Sequence, residues 1–229
     1  MGDDFAVSEK RPNTAAQAIT AVVLIGGMGA ALWAFDPRET HPADEPATCS
    51  PSSTAEARPA GNVSGDQLCT ALNRPDLATL LGTPTERAKT AGGSDSYFTS
   101  GDGTRTATPS GEVTFETYTV KLSATYDGLA VAEEGAYLGR TAEPRTVLGR
   151  PAVLYTTQTI ALRFNLGGGD SESGPGVPAR SLVIAQSAKD RGGSYELTVF
   201  REDGMPPDDE TLLSVAEQVF PTIPGWDRT

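Results

Sequence analysis

The sequence predicts an α+β protein: one amino-terminal transmembrane helix, then an antiparallel β-sheet with short helices at its start and a closing carboxy-terminal helix. Three observations predict it. Residues 18–35 form an uninterrupted apolar run, and strand-like stretches rich in Val, Thr, Tyr and Leu recur from Glu112 to Arg201. Helix-capping signals stand at Ser64 and Asp208, on either side of those strands.

The apolar run comes first in the chain. No charged residue occurs from Pro12 to Phe35. From Ala18 onward eighteen residues, at about 1.5 Å each, cover roughly 27 Å, enough for the hydrocarbon core of a bilayer. The run lacks the polar stripe that a helix with one wet face carries. Lys10 and Arg11 precede it, whereas Asp36, Glu39, Asp44 and Glu45 follow, so positive-inside counting places residues 1–17 in the cytoplasm. Trp33 and Phe35 suit headgroup depth on the far side. A secretory signal peptide cleaved after Ala31 is the competing reading, because Gly29 and Ala31 supply the small residues that such a site needs. Gly26 with Ala30, or Gly27 with Ala31, would let two such helices approach closely as a homodimer.

Residues 36–63 carry Pro37, Pro42, Pro46, Pro51 and Pro59 among Ser, Thr, Glu and Ala, and read as a stalk unable to pack a core. Asn62 opens a formal glycosylation sequon, best read as chance. The two cysteines, Cys49 and Cys69, both lie on the expected exported side, where disulfides persist. Their spacing fits neither a redox pair nor a zinc knuckle. A bond between them would tie the end of the stalk to the first helix.

The ordered domain is expected over 64–229. Ser64 can cap a helix and Gln67 completes a capping box, with Leu68, Cys69 and Leu72 on one face. Pro75 suits the start of a second short helix, Asp76 to Leu81, which Gly82 stops. Glycine, serine and aspartate dominate 92–111, predicting a long loop with one short strand at most. A single strand is expected from Glu112 to Tyr126, with a bulge near Tyr118 where the apolar parity changes. Further strands follow at Arg145 to Leu148, Ala152 to Leu166, Ser181 to Ala188 and Ser194 to Arg201, the last two as a hairpin. Gly167 to Gly176 reads as another loop. Asp208, Asp209 and Glu210 then open a helix whose stripe of Leu212, Leu213, Val215, Ala216, Val219 and Phe220 ends at Pro221, and Ile223 and Trp226 fold back onto the core.

Composition excludes more chemistry than it nominates. The net charge of −12 lies almost wholly beyond residue 35, a surface that repels nucleic-acid phosphates and anionic headgroups. The single histidine, His41, sits in the stalk, which removes Ser-His-Asp and Cys-His catalysis and histidine zinc sites. No Lys-Ser or Lys-Thr follows the glycine run at 167–176, so it is no phosphate cradle. Asp170 with Glu172, and Asp95 with Asp102, lack the alternating spacing of a calcium loop. Glu116, Asp127 and Glu196 could supply a carboxylate pair for glycoside hydrolysis, yet acids are too plentiful for such pairs to identify a catalytic residue. Tyr118, Tyr126, Tyr155, Tyr195 and Phe200 fall on strands, where core packing is the default and a ligand face the alternative. No catalytic, cofactor or metal residue is assigned.

Gln67 to Leu72, Leu80 to Pro84, Ser194 to Arg201 and the closing helix with Pro221 to Trp226 occur in an order that resembles an uncharacterised actinobacterial family of single-pass membrane proteins with an extracytoplasmic domain. More loosely, the chain is similar to actinobacterial secreted lipoproteins of PsbP-like fold, from which it departs by lacking a lipobox. The resemblance implies one membrane anchor and a PsbP-like sandwich, and it brings no activity. Anchor, stalk and missing catalytic set together point to a surface-displayed binding or interaction domain with an envelope protein or glycan as partner. A carboxylate-based hydrolase of envelope polysaccharide is the alternative. A tail of only seventeen residues disfavours a sensor passing signals inward.

Overall fold

The computed structural model describes residues 46–50, 59, 61–163 and 172–226. The expected tail, membrane helix and first part of the stalk lie outside them, as does His41. Among the described residues no helix is long and apolar enough to cross a membrane.

Helix α1 (Gly65–Leu72) starts as the capping box requires: Gln67 N–H donates to Ser64 Oγ, and Ser64 N–H donates to Gln67 Oε1. A short α2 (Leu77–Leu80) follows, and Gly82 leaves it at φ +76°. Strands β1 (Thr90–Ser94), β4 (Ser110–Thr114) and β5 (Tyr118–Thr125) come next, with a separate β2–β3 hairpin (Tyr97–Thr99, Arg105–Ala107) between the first two. After a single-turn α3 (Val131–Glu134) run β6 (Glu143–Val147), β7 (Arg150–Arg163), β8 (Glu172–Ala185) and β9 (Ser194–Arg201). Helix α4 (Asp209–Val219) and a 3₁₀ turn (Phe220–Thr222) close the fold. The result is α+β, as expected: seven strands in the order β1-β4-β5-β9-β8-β7-β6, with every neighbour antiparallel.

One face of the sheet carries the core. Val113, Val120, Leu122, Leu154, Leu182, Ile184, Leu197 and Val199 pack against Leu68, Leu72, Leu212, Val215, Val219 and Phe220 from the helices. Helix α1 rests directly on the sheet. A Cβ on Gly111 would lie 2.4 Å from Cys69 N, and one on Gly93 would lie 2.3 Å from Gly65 C, so only glycine permits this approach. Arg180 bridges from β8 to the first turn of α4, donating to Asp209 at 2.7 Å. The carboxy-terminal turn returns to the core as predicted: Trp226 stacks on Phe220 at 5.4 Å, beneath the Arg150 guanidinium at 3.6 Å.

The opposite face has two halves. The chain leaves β5, crosses this face as the α3 segment and starts again at the far edge with β6. Val131 thereby fills a small apolar cluster with Val153, Tyr155, Val183 and Ala185. Over β4, β5 and β9 the same face is polar.

Four expectations are corrected. The stretch 92–111 is not mainly loop, because it contributes β1, β2, β3 and the start of β4. The parity change near Tyr118 is a hairpin turn between two strands, closed by Phe115 N–H donating to Tyr118 O. Residues 172–176, expected in a loop, belong to β8, while 167–171 lie outside the described residues. The stalk reaches the fold earlier than residue 64: Ala47 and Val63 are core residues, and Ser50 bridges in parallel to Gly92 at the β1 edge. The physical reason is the Cys49–Cys69 disulfide, which holds Pro46 to Ser50 against β1.

Candidate functional site

The expected site residues are distributed unevenly. Glu116 is exposed in the β4–β5 turn, paired with Lys89. Asp127 is exposed at the other end of β5, where it accepts from Leu129 N–H. Eight strand residues at about 3.3 Å each separate the two by roughly 26 Å, so they cannot act together. Tyr118 and Tyr195 are buried in the core, and Tyr126 packs against it while its hydroxyl accepts from Val63 N–H. Asp95 accepts from Gly65 N–H, and Asp102 folds its own turn by accepting from Ser100 and Thr104. Asp170 lies outside the described residues, and among those described no three side chains could hold a metal ion. Cys49 and Cys69 are bonded and serve structure.

Glu196, Tyr155 and Phe200 remain, and the sheet brings all three to its polar face. Register makes the arrangement explicit. Glu112 on β4 faces Lys121 on β5, which faces Thr198 on β9, which faces Ser181 on β8, which faces Tyr155 on β7. One row of polar side chains thus crosses five strands, with Ser123 and Glu196 in the next row and Thr119 and Phe200 on its other side. The same strands send Val113, Val120, Leu122, Leu197 and Val199 into the core, so strand alternation produces both faces at once.

Hydrogen bonding gives the row its order. Tyr155 donates its hydroxyl to Glu196, Ser181 and Thr198 share a hydroxyl bond at 2.7 Å, and Thr119 donates to Glu202 at 2.9 Å. Burial, with the charge of Glu196, drives the Tyr155 phenol well above its ordinary range, so it stays a donor. Beside it stands Glu134, at the end of α3. That carboxyl is pushed up to about 8, first by burial and then by the negative charges of Glu196 and Asp127. Asp190 holds α3 in place by accepting from Val131 N–H at 2.8 Å and Ala132 N–H at 3.1 Å. Burial also raises Glu112 and lowers Lys121, each held back by the other's charge. The face therefore offers a neutral carboxyl donor, carboxylate acceptors, one amine, several hydroxyls and the half-exposed ring of Phe200.

Sequence reasoning missed Glu112, Lys121, Ser181, Thr198 and Glu134. Alternation along each strand marks the first four as facing away from the core, but only the pairing of β4, β5, β9, β8 and β7 collects them. On the helix side, an open trough of about 470 Å³ is lined by Asp66, Gln67, Thr70, Arg74 and Thr222 among others. Its cation is already engaged, since Arg74 donates to Asp76 and to Gln218 O.

Fold and face together define a small antiparallel α+β domain, one side helical core and the other a polar sheet surface. The chain belongs to a family of unknown function, DUF6215, whose model matches residues 9–141. That match runs through α3 and takes in Glu112, Lys121 and Glu134. No curated protein and no solved structure matches the chain.

Proposed function

We propose that this is a single-pass membrane protein whose domain is displayed outside the cell membrane and binds a hydroxyl-rich envelope glycan on its polar sheet face. In this reading residues 1–17 are cytoplasmic, 18–35 span the membrane and the chain beyond forms stalk and domain. The apolar run of 18–35 and its cationic leading flank support the topology. The observation that carries the binding role is the row from Glu112 to Tyr155, hydroxyls and charges of both signs beside Phe200. Sugars need that combination: an aromatic ring for the apolar C–H face and directional polar groups for the hydroxyls. Co-sedimentation of the full chain with purified envelope polysaccharide tests it. The wild type should pellet with the glycan and the Phe200→Ser and Glu196→Gln variants should stay in solution; a wild type that never pellets refutes the reading. Protease added to intact cells should digest the domain and spare the amino-terminal tail.

One observation favours hydrolysis as a second reading. Glu134, protonated near neutral pH, stands beside Glu196, and a neutral acid next to a second carboxyl group is the pairing that glycoside cleavage uses. Release of reducing ends from the same polysaccharide, lost in both Glu134→Gln and Glu196→Gln, would establish it. Binding without release would exclude it.

A further inference from the structure

Glu112 and Lys121 stand out as the oppositely charged cross-strand pair of the polar face. Glu196 accepts from Tyr155, Glu202 accepts from Thr119, and Ser181 and Thr198 bond each other. Glu112 and Lys121 are cross-strand partners of opposite charge, both half-buried and on the same face. Even so, among the described residues neither makes an ion pair within 4.0 Å or a hydrogen bond. Both feel the cost, since burial raises the carboxyl and lowers the amine. Two opposite charges left apart on one face can each take a polar group of a ligand.

The geometry points to the acetamido group of an N-acylated amino sugar, held with its N–H on the Glu112 carboxylate and its carbonyl oxygen on the Lys121 ammonium. This inference rests on the glycan reading above and names the class of sugar. A secondary amide places a donor and an acceptor about 2.3 Å apart on one rigid plane. With a charge-assisted hydrogen bond of about 2.8 Å at each end, it can bridge two charges that stand farther apart than a direct ion pair. Competing groups fit less well. A free amine would satisfy Glu112 but set a cation against Lys121. A carboxylate would reach Lys121 but meet Glu112, whose surroundings already include the charge of Glu202. A plain hydroxyl carries one proton and no carbonyl, and so gives weaker bonds to both. Phe200, diagonal to Lys121 across β5 and β9, offers its half-exposed ring to the apolar face of the same sugar.

The test uses the full chain in lipid nanodiscs and three β-1,4-linked oligosaccharides of equal length, built from N-acetylglucosamine, glucosamine or glucose. The N-acetylated oligomer should bind at least tenfold tighter than the other two. Lys121→Met should bring it down to the glucose oligomer. The charge-swapped double variant, Glu112→Lys with Lys121→Glu, keeps the pair and should restore most of the preference, which covers the case in which Lys121→Met fails to fold. Equal binding of all three sugars overturns the inference and leaves the glycan reading standing. A Lys121→Met protein that keeps the tenfold preference also overturns it. If none of the three binds, the inference fails, and co-sedimentation with envelope polysaccharide decides the glycan reading separately.

Discussion

Replacing Glu134 with Gln isolates the most perturbed acid of the polar face. The carboxyl moves from its ordinary 4.5 to about 8 in the folded protein. Below pH 4.5 the group is neutral folded and unfolded, and contributes nothing. Between pH 4.5 and 8 the unfolded carboxyl is ionised while the folded one keeps its proton, so stability falls as pH rises, and the loss levels off above 8. At about 1.4 kcal/mol per pKa unit the full linkage approaches 5 kcal/mol. Glu134 is only half-buried, however, and α3 is a single turn that can lift locally and hydrate the carboxylate without global unfolding. Such lifting caps the realised effect at about 2 kcal/mol. Gln keeps the shape and never ionises. Urea unfolding of wild type and Glu134→Gln from pH 4.5 to 9 should therefore give curves that coincide at the acid end and separate by about 2 kcal/mol at pH 8, the variant being the more stable. A gap independent of pH, or a variant less stable than wild type at pH 8, would refute the burial of the Glu134 carboxyl on this face.

Four further outcomes follow from the packing. The paired change Cys49→Ala with Cys69→Ala, which opens a loop of sequence separation 20, should lower the unfolding free energy by about 3 kcal/mol in a urea titration. Gly111→Ala should cost about 3 kcal/mol or more, because its Cβ would press on Cys69 N of α1. Gly101→Ala, where a Cβ would meet nothing, should stay within about 0.5 kcal/mol in the same urea titration. Asp190→Asn keeps a residue that tolerates the φ of +50° but leaves one acceptor oxygen for two donors, so hydrogen exchange at Val131 and Ala132 should quicken by about tenfold.

What could be read in advance divides by the range of the interaction responsible. Ser64 with Gln67, Asp208, Pro221 and Gly82 act on neighbours within a few residues, and each ends or starts its helix where its chemistry says it should. The β4–β5 turn was illegible because Phe115, Glu116 and Thr117 carry no turn chemistry. The turn is held from outside, by Glu86 accepting from Thr117 N–H and its hydroxyl. Gly93 and Gly111 misled in the opposite sense: they suggest a flexible loop, yet in strands they are the clearance that admits α1. The polar face lay between these extremes. Its residues show in strand alternation, but assembling Glu112 with Tyr155 depends on β9 pairing with β5 across a long connection, and Glu134 reaches the face only through the α3 crossover.

The disulfide also settles how the domain bears tension. A pull applied ahead of Pro46 reaches Cys49 and passes through its sulfur to Cys69, in the middle of a helix seated on the sheet. The intervening chain is bypassed by the bond. On the way, the Ala47 N–H bond to Ala88 O ties the loaded segment to the chain just ahead of β1. Pulled from ahead of Pro46, the domain would pass the load to its core through the disulfide and keep the polar face, on the other side of the sheet, out of the line of force.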